Sequence, residues 1–179
     1  MKKITVVLIA LLLLITASSC SKKEEGDIPE GMAALENDVT DFTLYYPEEW
    51  SVDRNDGMVS VYVSDKDRSN VSVTTFAASA EVTSVDAYLN MGDTTYFDHM
   101  KETFPDLEML ADGEETTLDG VPARQYVFTA TVAGDAYKFK QVITYYYGYI
   151  YMLTYTSTTD GFDSHVDEVN SIISEFSFK

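Results

Sequence analysis

The chain has one short apolar run near its beginning, then a polar stretch, then a long region in which apolar and polar residues alternate. Alternation with a period of two predicts β-strands with one buried face, and Val59, Val61 and Val63 form such a face. The dipeptides Asp56-Gly57 and Asp119-Gly120 separate alternating segments and favour tight hairpin turns. Strands are predicted at 42–46, 50–52, 59–63, 70–76, 114–118, 121–132, 137–147 and 149–157.

Two segments instead repeat apolar residues at helical spacing. The first helix is predicted to begin with Thr83 as N-cap and Asp86 in its first turn. It should contain Gly92, which lowers helix stability by up to about 1 kcal/mol, and end at Pro105. The second is predicted to follow a cap at Asp160. Its apolar stripe comprises Phe162, Val166, Val169, Ile173 and Phe176. This order of elements predicts an α+β fold, an antiparallel β-sheet of about six to seven strands flanked by helices.

The apolar run at the beginning is too short to span a bilayer. Residues 4–15 would form a helix of about 18 Å, against a hydrocarbon core of about 30 Å. With Lys2 and Lys3 before it and Ala17-Ser18-Ser19 after it, the run is typical of an export signal. The segment resembles a bacterial lipoprotein signal, which implies cleavage before Cys20 and a lipid-bearing thioether on that residue. The alternative is an ordinary secretory signal followed by a buried cysteine.

The sequence therefore divides into three parts. Residues 1–19 are predicted to be a signal peptide, and 20–36 the lipidated Cys20 with a flexible acidic tether, because this composition buries too little apolar surface to fold. Residues 37–179 are predicted to form one globular domain. The expected location is the extracytoplasmic face of a bacterial membrane. With Cys20 carrying lipid, no cysteine remains for a disulfide.

The charge of the chain excludes some partners. The formal net charge is −18, and removal of residues 1–19 takes away Lys2 and Lys3 and makes it −20. Such a balance opposes binding to nucleic acid and adsorption to anionic lipid. The excess of acids serves solubility, or alternatively attracts a cationic partner or weakly held divalent ions.

Several segments together resemble the PsbP-like domain family. Residues 42–50 (FTLYYPEEW) are similar to the family's opening strand followed by Pro and Trp, and residues 118–123 (LDGVPA) to its Asp-Gly turn. Residues 149–157 and 172–176 are similar to its closing strand and helix. The resemblance implies an antiparallel sheet flanked by helices. The family includes an extrinsic subunit of the oxygen-evolving photosystem and many bacterial lipoproteins of unassigned role, and no motif match transfers an ion-binding residue.

Catalytic and metal-binding signals are weak. His99 and His165 are the only histidines, both placed in predicted helices, and no zinc-protease motif, nucleophile elbow or phosphate loop is present. Residues 53–57 are similar to a calcium loop, but the glycine comes one position early and a closing Glu is missing. Asp160, Asp163 and Asp167 fit helix capping better than metal binding. The chain is therefore expected not to be an enzyme and to hold no cofactor or metal.

The chain is rich in tyrosine, and many of these residues lie close together. Six of the thirteen tyrosines fall within residues 145–155. Most are explained by cross-strand aromatic packing, but alternation sends them to both faces, so some should be exposed. Trp50, Tyr62, Tyr147 and Tyr149 are the candidate partner-binding residues.

From these observations the expected function is that of a non-catalytic accessory or binding module, anchored through Cys20, for an envelope or membrane protein partner. The alternative is a lipoprotein that binds a small ligand or divalent ion. An envelope hydrolase is a third possibility.

Overall fold

The computed structural model describes residues 28–35, 40–53, 59–92 and 95–179. Cys20, the predicted signal peptide and the Asp56-Gly57 turn lie outside these ranges. Within them the strands, in chain order, are β1 (Met32–Leu35), β2 (Phe42–Pro47), β3 (Ser51–Asp53), β4 (Val59–Tyr62), β5 (Asn70–Ala77), β6 (Glu108–Leu118), β7 (Val121–Val132), β8 (Asp135–Tyr146), β9 (Tyr149–Thr158) and β10 (Ser177–Phe178). They form a seven-stranded sheet in the order β3-β4-β5-β9-β8-β7-β6 and a three-stranded sheet in the order β1-β2-β10.

All neighbouring strands of the large sheet are antiparallel. Helices α1 (Val85–Leu89), α2 (Tyr96–Thr103) and α3 (Val166–Glu175) complete the fold, with a 3₁₀ turn at Phe162–Ser164. The predicted α+β fold, an antiparallel sheet of six to seven strands flanked by helices, is confirmed.

Three two-residue turns connect β6 to β9 into a continuous meander. In the turns Asp119-Gly120, Ala133-Gly134 and Tyr147-Gly148 both residues have positive φ, the geometry whose twist matches paired strands. The Asp119-Gly120 turn is as predicted. The strands predicted at 121–132 and 137–147 leave four residues for the next turn, but β8 begins at Asp135, which already pairs with Val132, so the turn is only Ala133-Gly134.

The folded region begins earlier than the predicted boundary at residue 37. Met32–Leu35, assigned to the tether, pair with β2 from Met32 opposite Pro47 to Leu35 opposite Leu44. Leu35 is buried, so these four mainly apolar residues gain enough contact to order. At the other terminus, Ser177–Phe178 add a short strand on the opposite edge of β2, which the sequence analysis did not predict.

The single helix predicted from residue 83 to Pro105 is wrong. Two short helices, α1 and α2, replace it, and Gly92 between them has a φ of +92°, outside the helical region. Ser84 rather than Thr83 caps α1, accepting a hydrogen bond from the Ala87 amide at 3.1 Å.

The predicted cap at Asp160 is also wrong. The chain first makes the 3₁₀ turn, and His165 then occupies the N-cap position of α3 without a side-chain capping bond. Asp163 instead binds Lys138, with 3.2 Å between its carboxylate and the ammonium. Because α3 begins late, Ile172 rather than Ile173 is fully buried.

The large sheet is packed on both faces. One face carries α1 and α2, which bury a cluster that includes Phe97, Phe128 and Ile150. The other face carries α3 and the small sheet, which bury a second cluster that includes Leu44, Tyr151 and Ile172. Alternation along the strands sends successive side chains to the two clusters.

The two edge strands of the large sheet are irregular or short. β3 has three residues. β6 begins at Glu108, earlier than the predicted residue 114, and its pairing with β7 shifts register between Met109 and Ala111 and again between Ala111 and Glu114. These bulges break the alternation on which the sequence prediction depended.

Candidate functional site

The four candidate aromatic residues do not form one patch. Trp50 is 4% exposed, so the expectation that it contributes to a surface patch is wrong. Its ring enters the core and meets the His165 ring edge-on, with 5.9 Å between centroids. Tyr62 pairs with Asn70, and Asn70 with Thr156 of β9. Tyr149 lies seven residues from Thr156 on that strand, so about 24 Å separate the two regions.

The end of the sheet at the β8–β9 turn carries three exposed aromatic side chains, which we call the aromatic tip: Phe76, Tyr147 and Tyr149. They are 37%, 83% and 45% exposed, respectively. Tyr147 and Tyr149 are predicted from the sequence, but Phe76 is not, because it follows the same alternating pattern as buried strand residues. β5 brings Phe76 to this end of the sheet, where Phe76 pairs with Ile150 and Ala77 with Tyr149, so Phe76 and Tyr149 point to opposite faces.

Packed aromatic rings support the tip from below. The Tyr147 ring contacts that of Tyr146, 4.4 Å away, and Tyr146 stacks on Phe178 at 4.1 Å. On the other face Phe76 packs against Tyr88 at 5.8 Å, where burial raises the pKa of Tyr88 to about 12. The tip is thus a supported aromatic surface and not an isolated side chain.

Tyr147 occupies a backbone conformation that suits other residues better. Its φ is +43°, in the left-handed region where Gly, Asn and Asp are favoured. An exposed, bulky ring at this position gains little from packing and adds backbone strain. Stability alone therefore does not explain why a tyrosine occupies this position.

At the opposite end of the sheet lies a concave groove of about 770 Å³, within the size range of small-molecule sites. It lies on the face of the large sheet that carries α1 and α2, in the part near the β7–β8 turn that these helices do not cover. The lining residues are Asp53, Ser60, Tyr62, Lys66, Asp67, Arg68, Ser69, Asn70, Val132, Tyr137, Phe139, Thr156, Ser157, Thr158 and Gly161. Of the predicted candidates, Tyr62 alone lines it.

One rim of the groove is the loop between β4 and β5, which carries Lys66 and Arg68. The Arg68 guanidinium lies 4.0 Å from the centroid of the Tyr62 ring, a cation–π geometry. Asp65 accepts a hydrogen bond from the Tyr62 hydroxyl at 3.3 Å and lies 3.8 Å from Arg68. Adjacent opposite charges in this loop give no local signal of a binding site, so its residues are not among those predicted from the sequence.

His165 connects this rim to α3 through contacts of its ring with two carboxylates. Its Nδ1 lies 2.6 Å from Glu168 and its Nε2 lies 3.1 Å from Asp67 of the loop. Asp67 in turn accepts a hydrogen bond from the Ser69 amide at 2.9 Å. His165, predicted to be a helix-surface or half-buried residue, connects segments 98 residues apart in the chain.

The two carboxylates favour the charged form of His165. Burial lowers its pKa, but the hydrogen bonds to Glu168 and Asp67 outweigh burial, so the pKa is raised above the ordinary 6.5. Hydrogen bonds from Ser69, and then from His165, hold the pKa of Asp67 below its usual value. The cluster therefore favours an imidazolium between two carboxylates over a neutral imidazole.

A second cavity, of about 400 Å³, lies between the helices α1 and α2 and the strands β6 and β7. Of its two cationic residues, Lys101 and Arg124, the arginine is already paired. Arg124 donates to both oxygens of Asp86 at 2.8 and 2.9 Å and contacts Glu115 at 2.9 Å. This network joins α1 to the sheet and is structural.

In the part of the chain that the structure describes, no three His, Cys, Asp or Glu residues are grouped to hold a metal ion. His99 is on the surface of α2, 3.8 Å from Glu102. Among these same residues no helix is long and apolar enough to cross a bilayer.

The architecture is thus that of a two-faced antiparallel sheet with helices on one side and a helix and small sheet on the other. The model of the PsbP-like protein family matches residues 16–178. The chain belongs to the PsbP-like family. No curated protein matches it in sequence.

Solved structures share this fold at low sequence identity. Cyanobacterial PsbP (CyanoP) from Synechocystis sp. PCC 6803 is 14% identical with a TM-score of 0.60, over 91% of this chain and 99% of that one. LpqN of Mycobacterium tuberculosis, described as involved in cell envelope biogenesis, is 13% identical with a TM-score of 0.58, over 83% and 90%. A protein from Bacteroides thetaiotaomicron VPI-5482 is 15% identical with a TM-score of 0.51, over 78% and 45%. At such identities the likeness concerns the fold.

Proposed function

We propose that this protein is a non-catalytic binding module, anchored through Cys20 at the extracytoplasmic face of a bacterial membrane, that docks an envelope protein through the aromatic tip. The main observation in support is Tyr147, whose side chain is 83% exposed and whose backbone φ is +43°. Exposed aromatic side chains on a supported surface are typical of protein interfaces.

The path of the chain indicates that the aromatic tip lies at the end of the domain away from the membrane anchor. The Glu48 amide donates to the Gly31 carbonyl at 3.1 Å, and Ser51, three residues later, pairs with Tyr62 at the groove. The N-terminal segment therefore joins the domain at the groove end. β9, ten residues long, spans about 30 Å between the two ends, so the tip would face away from the membrane.

The setting and the charge are consistent with such a role. The neighbour LpqN is itself described as involved in cell envelope biogenesis. A net charge of −18 favours a partner whose contact surface is apolar and ringed by basic residues.

The test is site-specific photocrosslinking with the full-length protein in its own host. A photoreactive phenylalanine analogue replaces Tyr147 in one variant and Ala133 in a matched control, since Ala133 occupies the same position of the equivalent turn at the other end of β8, with a φ of +53°. We expect one discrete protein adduct at position 147, weakened by Tyr149→Thr, and none at 133. Equal adducts at both positions, or none at 147, would contradict docking at the tip.

Anchoring is tested separately. Cys20→Ser should move the protein from the membrane to the soluble fraction, because the acyl chains provide the membrane affinity. Retention of this variant on membranes would contradict attachment at Cys20.

A different observation, the groove, favours the alternative function of small-ligand binding. The two functions are compatible because the surfaces lie at opposite ends of the sheet.

A further inference from the structure

The groove combines features of a ligand site that the docking function does not use. It is open and concave, and it is lined by the loop between β4 and β5 and by residues of the strands β3, β4, β5, β7, β8 and β9. Its volume of about 770 Å³ is enough for one or two sugar-sized units.

Its floor is aromatic. Tyr137 and Phe139 lie at alternate positions of β8, with 6.3 Å between ring centroids, and both line the groove. Phe139 stacks on Phe128 at 5.0 Å, which fixes its orientation. The two rings are tilted by 38° to each other, and each offers an apolar surface suited to the C–H face of a sugar-like ring.

Short polar side chains surround this floor. Asn70 and Thr156 are directly paired across β5 and β9 and share the face of Phe139, which is paired with Thr156 in turn. Ser60 and Thr158 add hydroxyl groups along the same lining. Hydroxyl and amide groups both donate and accept hydrogen bonds, as a polyol requires.

The rim adds positive charge in a strongly acidic chain. The Lys66 ammonium makes no ion pair with any residue in the described ranges, and Arg68 has only the distant contact with Asp65, at 3.8 Å. The carboxylate of Asp67, also in the lining, is held by His165 at 3.1 Å and so is compensated. Asp53 is the remaining acidic residue of the lining. Lys66 and Arg68 thus remain available for an anionic group.

We propose that the groove binds an acidic sugar unit, with the ring on Tyr137 and Phe139 and its carboxylate or phosphate at Lys66 and Arg68. Arg68 is already oriented by the Tyr62 ring, and a guanidinium matches the two oxygens of such an anion. Occupancy of the groove does not depend on docking at the aromatic tip.

The test uses the full-length protein and three soluble probes, glucuronic acid, glucose 6-phosphate and glucose, titrated by NMR or calorimetry to about 10 mM. We expect one or both acidic sugars to bind, and glucose to bind at least about tenfold more weakly, because it lacks the charge-assisted bonds. Comparison of the two acidic probes distinguishes a carboxylate from a phosphate ligand.

Variants connect the binding to the groove. Lys66→Gln combined with Arg68→Gln should weaken the acidic probe at least about tenfold and leave the circular dichroism spectrum unchanged, since both side chains are exposed. Lys101→Gln, which removes one positive charge from α2, should have no effect. Tyr137→Ser should weaken binding through loss of one of the two apolar ring surfaces.

Three results would overturn the proposal: no binding of either acidic probe, equal binding of glucose, or equal weakening by Lys101→Gln. Each of these outcomes leaves the photocrosslinking result at position 147 unaffected, so failure at the groove and failure at the tip are distinguishable.

Discussion

The imidazolium of His165 should make the stability of this protein depend on pH in a defined direction. Because the folded-state pKa of His165 is raised, its contribution is fully present below the unfolded-state pKa of about 6.5. It is lost as the pH rises through the folded-state pKa. We therefore compare the wild type with His165→Gln, which removes the charge but keeps a side chain of similar length against Trp50.

The expected magnitude follows from the contacts. Hydrogen bonds to charged groups contribute about 1.5–3 kcal/mol when buried. The side chain of His165 is 18% exposed but those of Asp67 and Glu168 are 42% and 35% exposed, so solvent screening reduces this value. We expect His165→Gln to lower the free energy of unfolding by about 1–2 kcal/mol at pH 6, and by progressively less towards pH 9.

Urea unfolding followed by tryptophan fluorescence at a series of pH values gives this difference, since Trp50 is the only tryptophan and lies against His165. His99→Gln is the control, and an exposed histidine beside one carboxylate should change stability by less than about 0.5 kcal/mol. A difference for His165→Gln that stays constant from pH 6 to pH 9, or grows with pH, would refute the imidazolium account.

Three further changes test other parts of the structure. Tyr147→Asn should raise the free energy of unfolding by about 0.5–1 kcal/mol, measured in urea, because Asn suits the positive φ; a loss of stability would show that the ring contributes to folding. Asn170→Leu, which removes the hydrogen-bond partner of the Lys140 ammonium at 2.5 Å, should cost about 1–2 kcal/mol because Asn170 itself is exposed, and Lys140→Met less than about 1 kcal/mol; equal costs in thermal unfolding would contradict this. Tyr151→Phe should cost about 1 kcal/mol through loss of its hydrogen bond to Asp41, and no change in Tm would contradict that bond.

The period-two pattern predicted most of the large sheet because strong alternation and Gly-containing turns occur together from residue 114 to residue 157. It failed at the beginning of β6, where Asp112 and Gly113 interrupt the alternation at the bulges. It also failed for Met32–Leu35 and Ser177–Phe178, which have little strand pattern of their own. Their order comes from pairing with β2, and such distant pairing is not visible in a local window.

The candidate site was predicted less well than the fold. Alternation identified Tyr147 and Tyr149 as residues that could not all be buried, but it could not show that Trp50 turns inward after Pro47. The groove depends on Lys66, Arg68 and Tyr137, which are brought together from distant positions by the order β4-β5-β9-β8. Strand order is not encoded in local periodicity, so no sequence pattern groups these three residues.

The irregular edges of the large sheet matter most for a protein confined to a surface. Lipid attachment would concentrate neighbouring copies in two dimensions, where unpaired strand edges meet often and join into intermolecular sheets. Here one edge strand has only three residues, and the other has two register shifts and four acidic residues, Glu108, Asp112, Glu114 and Glu115. Kinked and negatively charged edges repel each other, so many copies could be displayed side by side without aggregating.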